Sequence, residues 1–475
     1  MSDADKVDYD VIVIGGGGAG MAAAIQAADA GARVALLEAA NKLGGATALA
    51  GGLFYASGTA AQHELGILDT PEAMYQDILA LNGDSVPHTL VRRFCDDAPN
   101  VMRWLMELGV EFPPERLSAP SARFVPRAHE PVGFGAKIAE QLDLAVSKRP
   151  IDVARMSRVD TLLTDAQGAI IGVRVGDDEI FARSVVLACG GFGASEEFVA
   201  RLLPKARRVG DWVWNVGCST NRGDGLRMAE SVGAPLVGEN SALLLQTPNF
   251  QRDLEVIGPD WALMVNSLGK RFVREDGAYY EISEGIEAQP DSKAFFIFDR
   301  PLFETAKPHP RVLEAVKLGI ATVSWVTRVL QEQLEKGRVI ESPTIAGLAQ
   351  KIGVDVASLT ATLARYNELA AIGVDADFEK SPASLKPVAT PAFYAVEVRP
   401  AALIVTGSGM PIDVEARVLN ASGAALPGLY AAGETVGNLY GRHYVSSGYA
   451  IASSITFGCI AGRSAAAYAR AQAAA

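Results

Sequence analysis

The chain has 475 residues, of which 49% are hydrophobic and 21% are charged, and its formal net charge is −12. This length allows two or three domains with a large core, and the composition is that of a globular protein. The acidic balance argues against nucleic acid or an anionic membrane surface as a partner.

The beginning of the chain has no apolar run typical of a signal peptide, so we expect a cytoplasmic protein. The uncharged stretch 444–462 is as long as a membrane span but contains several serines and glycines, which favours a buried helix and no integral membrane span. The four cysteines have neither pairing nor metal-ligand spacing, which indicates reduced thiols and no metal site.

A dinucleotide-binding unit is predicted over residues 10–38. The apolar run 11–14 is typical of a buried parallel strand, and Gly15, Gly17 and Gly20 follow at the spacing of a phosphate-binding turn. A helix rich in alanine ends near residue 31, and a second strand over 34–37 leads to Glu38. The Glu38 carboxylate is placed to accept hydrogen bonds from an adenosine ribose.

A second glycine-rich segment follows at 44–58, where five glycines and small residues predict backbone lying close against a flat ligand. Amphipathic helices are predicted over 71–82 and 89–109, and the Pro- and Ser-rich segment 112–131 is predicted to be a loop.

Strands are predicted over 170–175 and 179–187, the second ending in a Gly190-Gly191 turn. Asp224 precedes a helix predicted over 226–232, and it either caps that helix or binds the cofactor. A hairpin and a short strand then lead to Gly433-Glu434.

The closing segment combines a Gly- and Ser-rich loop, 437–448, with a long helix predicted over 449–470, whose free N-terminal amides would point at whatever the loop binds. Residues 240–390 differ in composition, with most of the remaining aromatic residues and several prolines, and hold further predicted helices, including one over 344–372. We therefore predict an α/β fold with nucleotide-binding parts at 1–239 and 391–475 and an inserted α+β capping domain at 240–390.

These motifs together resemble the fumarate reductase/succinate dehydrogenase flavoprotein superfamily from about residue 8 to residue 465. The resemblance depends on GGGGAG with Glu38, LGGATALAGG, ACGGF, TNRGDGLRMAESVGA, GKRFVRE and GLYAAGE. It implies a Rossmann-like FAD-binding domain. Some relatives attach flavin to a histidine at the position of Ala46, so non-covalent FAD is expected. The resemblance implies these cofactor-binding residues: Gly15, Gly17, Gly18, Ala19, Gly20, Glu38, Gly44, Gly45, Ala46, Thr47, Gly51, Gly52, Asp224, Gly433, Glu434, Ala450 and Ile451.

The chain departs from the carboxylate-reducing relatives at positions that touch their substrate. Their proton-donating arginine corresponds to Tyr279, and their carboxylate-holding arginine corresponds to Tyr444. A histidine of those relatives corresponds to Ile404 or Val405. A dicarboxylate needs charge-assisted donors, whereas phenols offer neutral hydrogen bonds that suit a ketone oxygen.

The closing sequence GRHYVSSG resembles the 3-ketosteroid dehydrogenase branch, with the Tyr-x-Ser pairing and GGLFYASGT most similar to Δ4-dehydrogenases. This resemblance implies a dehydrogenase that introduces a C=C bond next to the carbonyl of a cyclic ketone or steroid and passes electrons to a diffusible acceptor. Tyr444 and the Gly448 amide are expected to hold the carbonyl oxygen, with Tyr279 and Ser446 as candidates for the proton path.

Alternatives remain open for these residues. Phe54, Tyr55 and Tyr280 are expected to line the substrate pocket, and the alternative for Phe54 and Tyr55 is that they belong to the core. For Tyr279 and Tyr280 the alternative is a packing role in the capping domain. Two rival functions also remain: a flavin-dependent reductase of an α,β-unsaturated acid, and a non-enzymatic flavin-fold binding module.

Overall fold

A computed structural model describes residues 7–119, 124–250, 252, 257–309, 312–317 and 322–474. The chain forms two compact units. Unit 1 comprises residues 1–204, 217–243 and 405–475, and unit 2 comprises residues 205–216 and 244–404. The predicted functional domains at 1–239, 240–390 and 391–475 stay a prediction.

The helices in chain order are α1 Gly18–Asp29, α2 Gly45–Leu49, α3 Ala60–Glu64, α4 Pro71–Asn82, α5 His88–Glu107, α6 Phe134–Ser147, α7 Glu196–Leu202, α8 Asp224–Ser231, α9 Tyr279–Glu287, α10 Arg300–Glu304, α11 Val312–Lys317, α12 Thr327–Glu335, α13 Ile345–Ile352, α14 Val356–Ile372 and α15 Tyr449–Ala474. The strands are β1 Tyr9–Ile14, β2 Val34–Leu37, β3 Phe54–Tyr55, β4 Leu117–Ser118, β5 Ala128–His129, β6 Ile151–Ala154, β7 Thr161–Thr164, β8 Ile170–Val175, β9 Asp178–Leu187, β10 Trp214–Asn215, β11 Ala242–Pro248, β12 Leu263–Asn266, β13 Ala294–Asp299, β14 Ile340–Ser342, β15 Phe393–Thr406, β16 Arg417–Leu419 and β17 Ala425–Ala431.

The main sheet of unit 1 has the strand order β16-β17-β9-β1-β2-β6, with β8 pairing β9 and β7 pairing β8. Strand β1 is parallel to both neighbours, with Val11 opposite Val34 in β2 and opposite Ser184 in β9. Strand β17 is also parallel to β9. The carboxyl ends of β1, β2, β9 and β17 therefore meet at one edge of the sheet, which is where ligands bind in open α/β folds.

Helices α1 and α15 pack closely against each other. A Cβ atom at Gly458 would lie 2.4 Å from the Ala19 carbonyl oxygen, and one at Gly462 would lie 2.1 Å from that of Ala23. Only glycine allows this backbone approach, so the small residues of α15 serve helix packing. Among the described residues, no helix has both the length and the apolar character needed to cross a membrane.

Unit 2 is built on a six-stranded sheet in which β15 pairs β10, β11, β13 and β14, and β13 pairs β12. Strand β13 is buried along its whole length. Its Phe296 and Phe298 pack into one apolar cluster with Trp325, and its Phe295 and Ile297 pack into another with residues of α13 and α14. Because both faces of the sheet are covered at β13, its residues 294–298 are all apolar.

Three local predictions need correction. Segment 112–131, predicted to be a loop, contains the two short strands β4 and β5. Strand β5 pairs with β3, with Phe54 of β3 opposite His129 of β5. Residues 120–123 of this segment lie outside the described residues. The predicted helix 344–372 is two helices, because Gly353 ends α13 in a left-handed conformation and Asp355 caps α14. The predicted cap role of Asp224 is wrong, since Gly223 occupies the N-cap. The α/β class with an inserted α+β segment is confirmed.

Candidate functional site

The turn between β1 and α1 contains three glycines at 15, 17 and 20, and each position requires or uses glycine for a different reason. Gly15 has a φ of +104°, and a Cβ there would lie 2.3 Å from the Ala188 carbonyl oxygen. A Cβ at Gly20 would lie 1.8 Å from the Gly15 carbonyl oxygen. A Cβ at Gly17 would meet no protein atom within 4 Å. Gly15 and Gly20 are therefore required by the fold, whereas Gly17 keeps open space free beside the start of α1.

The second glycine-rich segment packs directly on this turn. The Gly44 amide donates a hydrogen bond of 2.8 Å to the Gly16 carbonyl, and a Cβ at Gly45 would lie 3.1 Å from the Gly17 Cα atom. The Gly18 amide, at the start of α1, donates to Thr47 Oγ1 at 3.2 Å. The two segments therefore form one wall at the N-terminus of α1, whose positive dipole end favours an anion.

Glu38 lies at the end of β2 and is buried. Its Oε2 accepts a hydrogen bond of 2.6 Å from the Gly16 amide, and its Oε1 accepts one of 2.6 Å from the Ala40 amide. These bonds fix the carboxylate at the carboxyl edge of the sheet, where a ribose hydroxyl would find an acceptor.

A cavity of about 410 Å³ opens along this edge. The predicted cofactor-binding residues that line it are Gly15, Gly17, Gly18, Ala19, Glu38, Gly45, Ala46, Thr47, Asp224, Gly433 and Glu434. Of the other predicted residues, Gly20, Gly44, Gly51, Gly52, Ala450 and Ile451 are not part of its lining. Gly52 has a packing role instead: a Cβ there would lie 2.3 Å from the Gly135 amide nitrogen, so the backbone at 135 leaves no room for a side chain.

This cavity fits a dinucleotide cofactor. Its wall combines an open space that a Cβ at Gly17 would enter, the N-terminus of α1 for a pyrophosphate and the Glu38 carboxylate for a ribose. Burial raises the pKa of the Cys189 thiol in the same wall to about 12. That thiol therefore stays protonated and offers no thiolate nucleophile.

Glu434 follows the turn after β17 and lines the same cavity. Its Oε1 accepts hydrogen bonds of 2.7 Å from both the amide and the hydroxyl of Thr406. Burial raises the pKa of this carboxyl, and the two bonds from Thr406 oppose that rise. Sequence reasoning missed Thr406, because no motif marks it.

An ion pair between Arg158 and Asp224 lies at the rim of the cavity. Arg158 donates to Asp224, and both residues line the cavity. Asp224 also lies 3.6 Å from Arg227 on the same helix. Sequence reasoning missed Arg158 and also missed Lys42, although a lysine among the small residues after Glu38 was a usable signal.

The loop at 437–448, here called the closing loop, brings three predicted catalytic groups to the start of α15. The buried Tyr444 accepts a hydrogen bond of 3.4 Å on its hydroxyl from the Ala450 amide. The carbonyl of the buried Ser446 accepts from the Tyr449 amide at 3.2 Å. Gly448 has a φ of +90°, and a Cβ there would lie 2.8 Å from the Leu53 carbonyl carbon.

The predicted pocket residues Phe54 and Tyr55 form β3 and are both buried. Phe54 packs edge-on against Phe112, and Tyr55 packs edge-on against Tyr449. The Tyr55 hydroxyl also accepts from Arg127 at 3.4 Å. These contacts favour the alternative that both side chains belong to the core.

Tyr279 and Tyr280 begin α9 in unit 2, where their rings pack edge-on with centroids 5.4 Å apart. Tyr280 is buried. The preceding GKRFVRE segment is held by a buried charge cluster: Arg271 lies 2.7 Å from Glu275 and 2.6 Å from Asp375. The first arginine of this motif is therefore neutralised within the unit.

Comparisons with known proteins agree with this site. A model of the FAD binding domain family matches residues 10–451. The fumarate reductase (cytochrome) of Shewanella frigidimarina is 32% identical over 485 residues, covering 99% of this chain and 79% of its own length. The 3-oxosteroid 1-dehydrogenase of Mycobacterium tuberculosis is 25% identical, covering 96% of this chain and 97% of its own.

Among solved structures, the 3-ketosteroid-Δ4-(5α)-dehydrogenase of Rhodococcus jostii RHA1, in complex with 4-androstene-3,17-dione, matches with a TM-score of 0.77 and 28% identity. The match covers 97% of this chain and 98% of the Rhodococcus jostii chain. The expected resemblance to the flavoprotein superfamily, with its ketosteroid dehydrogenase branch, is confirmed. The chain belongs to the FAD binding domain family and is an FAD-dependent oxidoreductase acting on CH–CH groups.

Proposed function

We propose that the protein desaturates a neutral cyclic ketone next to its carbonyl group, with a 3-ketosteroid as the first candidate. The observation that carries this proposal is the neutral phenol of Tyr444, buried at the start of α15 with its oxygen on the Ala450 amide. Carboxylate-reducing relatives have an arginine at this sequence position. Neutral donors are sufficient for a ketone oxygen, whereas a carboxylate is bound most strongly by charged donors.

Three arginines of the described residues are unsuited to binding a carboxylate substrate. The buried Arg127 donates two bonds to Asp69 and one of 2.7 Å to Asp77, so its charge is already balanced. Arg271 is balanced by Glu275 and Asp375. Arg442, in the closing loop itself, is exposed. Two of these arginines are therefore already paired with carboxylates of the protein and the third is exposed to solvent, so none is suited to binding the carboxylate of a buried substrate.

In this proposal the Tyr444 hydroxyl and the Gly448 amide hold the carbonyl oxygen. A hydroxyl that accepts from an amide keeps its own proton as a donor. Gly448 lies against the Leu53 carbonyl carbon, which allows no side chain there and keeps the amide close to β3. Two donors on the carbonyl oxygen withdraw charge from the α carbon, so its proton becomes more acidic.

Ser446, in the closing loop, and Tyr279, from sequence alone, remain the two candidates for the path of the α proton. Neither a phenol, with an ordinary pKa of about 10, nor an aliphatic hydroxyl is a strong base, so each candidate would serve as a relay toward water. Bound FAD would supply the acceptor for the hydride that leaves the β carbon. Loss of one proton and one hydride leaves the C=C bond, and a diffusible acceptor removes the two electrons.

We propose that FAD binds without a covalent link. Ala46, at the sequence position of the flavin-linked histidine of some relatives, lines the cavity and has no group that could attach a flavin. Glu38 would hold the ribose and the α1 amides the pyrophosphate, with Thr47, Asp224 and Glu434 contributing further contacts. Phe54, Tyr55 and Tyr280 remain proposed pocket residues, with core packing as their alternative.

A reductase of an α,β-unsaturated acid is the second candidate. Its support is the 32% identity to the Shewanella frigidimarina fumarate reductase over 99% of the chain. The phenols at 279 and 444 argue against it, because they carry no positive charge for the acid.

The test supplies FAD-loaded protein with saturated and partly saturated cyclic ketones and an oxidised dye. The proposal expects a product that has lost two hydrogens and dye reduction in equal amount. A parallel reaction supplies reduced dye with fumarate and similar acids. Turnover of acids without turnover of any ketone would contradict the proposal.

A further inference from the structure

The C-terminal residue of α4 holds the closing loop by its side chain. Asn82 Nδ2 donates a hydrogen bond of 2.9 Å to the His443 carbonyl, and the His443 amide donates one of 2.9 Å to Asn82 Oδ1. Asn82 is buried. One amide side chain thus satisfies both backbone groups of the residue immediately before Tyr444.

The neighbouring residues strengthen this contact. The Arg442 amide donates to Ser85 Oγ at 3.1 Å, and Ser85 Oγ donates to the Asn82 carbonyl at 2.7 Å. A Cβ at Gly441 would lie 2.4 Å from Asn82 Oδ1. Residues 441–443 therefore lie directly on the turn at 82–85, and only a glycine at 441 allows that distance.

This arrangement fixes the backbone that carries the Tyr444 phenol. The His443 carbonyl and the Tyr444 nitrogen belong to one planar peptide group, so holding the carbonyl also fixes the plane from which Tyr444 extends. On the other side, the Tyr444 hydroxyl meets the Ala450 amide. Tyr444 is thereby held between a clamp on its backbone and a contact on its hydroxyl.

We propose that Asn82 is a positioning residue that sets the Tyr444 hydroxyl for the carbonyl oxygen of the substrate. This inference rests on the proposed function, because it uses the role given there to Tyr444. An error of about 1 Å in a catalytic group can lower turnover about 100-fold, so a backbone clamp of this kind affects rate more than binding.

The test compares Asn82→Asp with the unchanged protein. An aspartate keeps the acceptor for the His443 amide but sets an oxygen against the His443 carbonyl, so it breaks one bond of the clamp at nearly equal size. Asn100→Asp is the matched control, because Asn100 is exposed on α5 and its side chain accepts a hydrogen bond from Arg103. FAD content is measured in each protein by absorbance after release.

We expect Asn82→Asp to lower kcat about 10-fold with less than about a 3-fold change in KM, while Asn100→Asp changes neither. Combined with Tyr444→Phe, it should add less than about a 2-fold loss, because both changes act through one hydroxyl. Losses that multiply, or an unchanged kcat in Asn82→Asp, would overturn the proposal.

Hydrogen exchange separates this inference from the proposed function. In the FAD-loaded protein, Asn82→Ala, which removes both bonds of the clamp, should speed exchange in a peptide spanning 441–446 at least about 10-fold, since the His443 amide loses its acceptor. Unchanged exchange there would overturn the clamp, whatever the kinetics. If Tyr444→Phe leaves turnover intact while exchange rises, the proposed function fails and the catalytic part of this inference fails with it.

Discussion

The hydroxyl of Tyr444 lies on the first turn of α15, where it accepts a hydrogen bond of 3.4 Å from the Ala450 amide. Ala450 was predicted to contact the cofactor, and in this structure its amide is directed to a phenol. The amide of a residue predicted to contact the cofactor is therefore hydrogen-bonded to the proposed carbonyl donor.

Tyr444→Phe should lower turnover of a ketone substrate about 100-fold, the usual effect of removing one donor to a developing oxyanion. FAD content should stay the same, because Tyr444 is not part of the cavity wall. Steady-state kinetics of the FAD-loaded variant measure this. Tyr468→Phe is the matched control, since that ring lies on α15 against Tyr430. Unchanged turnover in Tyr444→Phe would remove the role given to its hydroxyl.

Gly17→Ala should separate cofactor binding from folding. The new Cβ would meet no protein atom within 4 Å but would enter the cavity. The apo protein should therefore stay within about 1 kcal/mol of its original stability, while FAD affinity falls about 100-fold. Thermal unfolding of the apo protein and titration with FAD measure the two effects.

Gly20→Ala is the contrasting variant. Its Cβ would lie 1.8 Å from the Gly15 carbonyl oxygen, so it should destabilise the apo fold by about 3 kcal/mol or more. Equal effects of the two substitutions on apo stability would mean that the space beside Gly17 is not a ligand site.

The ion pair between Arg158 and Asp224 should slow FAD release. Both residues are partly exposed, so Arg158→Ala should raise the release rate only about 2- to 5-fold, the effect of an ordinary surface ion pair. Salt should reduce the difference. Release is followed by flavin fluorescence after dilution. Arg201→Ala removes a similar pair with Glu230, also on α8, and should leave the rate unchanged; an equal effect there would dismiss a specific role for Arg158.

Stability should depend on pH through His129. Burial lowers the pKa of His129 below its ordinary value of 6.5, although hydrogen bonds to the Phe54 and Arg127 carbonyls oppose this. Between the lowered pKa and about 6.5 the unfolded chain binds the proton and the folded chain does not, so stability falls as the pH falls below 6.5. Apo unfolding temperatures from pH 7.5 to pH 5 measure the slope.

His129→Gln should reduce that slope, whereas His63→Gln, at an exposed position on α3, should leave it as it is. A slope that is unchanged by the loss of His129 would assign the acid sensitivity to other groups.

The parts of the fold that the sequence predicted are those with local signals. Strand β1, the glycine turn and Glu38 lie within one short stretch whose spacing has a single geometric explanation. The contacts of Asn82 with His443 and of Thr406 with Glu434 join residues 361 and 28 positions apart. Asparagine and threonine are common in turns and strands, so nothing in their own surroundings marks these partners.

The division of the predicted helix 344–372 has a local cause that sequence reasoning underestimated. Gly353 and Asp355 supply a helix end and a helix start within three residues. The pairing of β3 with β5, in contrast, joins two-residue strands far apart in the chain. Such short strands carry too few residues for a periodic pattern.

The most direct test is an anaerobic titration of the oxidised, FAD-loaded protein with a saturated 3-ketosteroid, a substituted cyclohexanone and succinate, followed by the visible flavin absorbance. The account predicts that a ketone bleaches the flavin and yields its desaturated product in equal amount, while succinate has no effect. Bleaching by succinate with no response to any ketone would contradict the claim that this site handles an uncharged carbonyl.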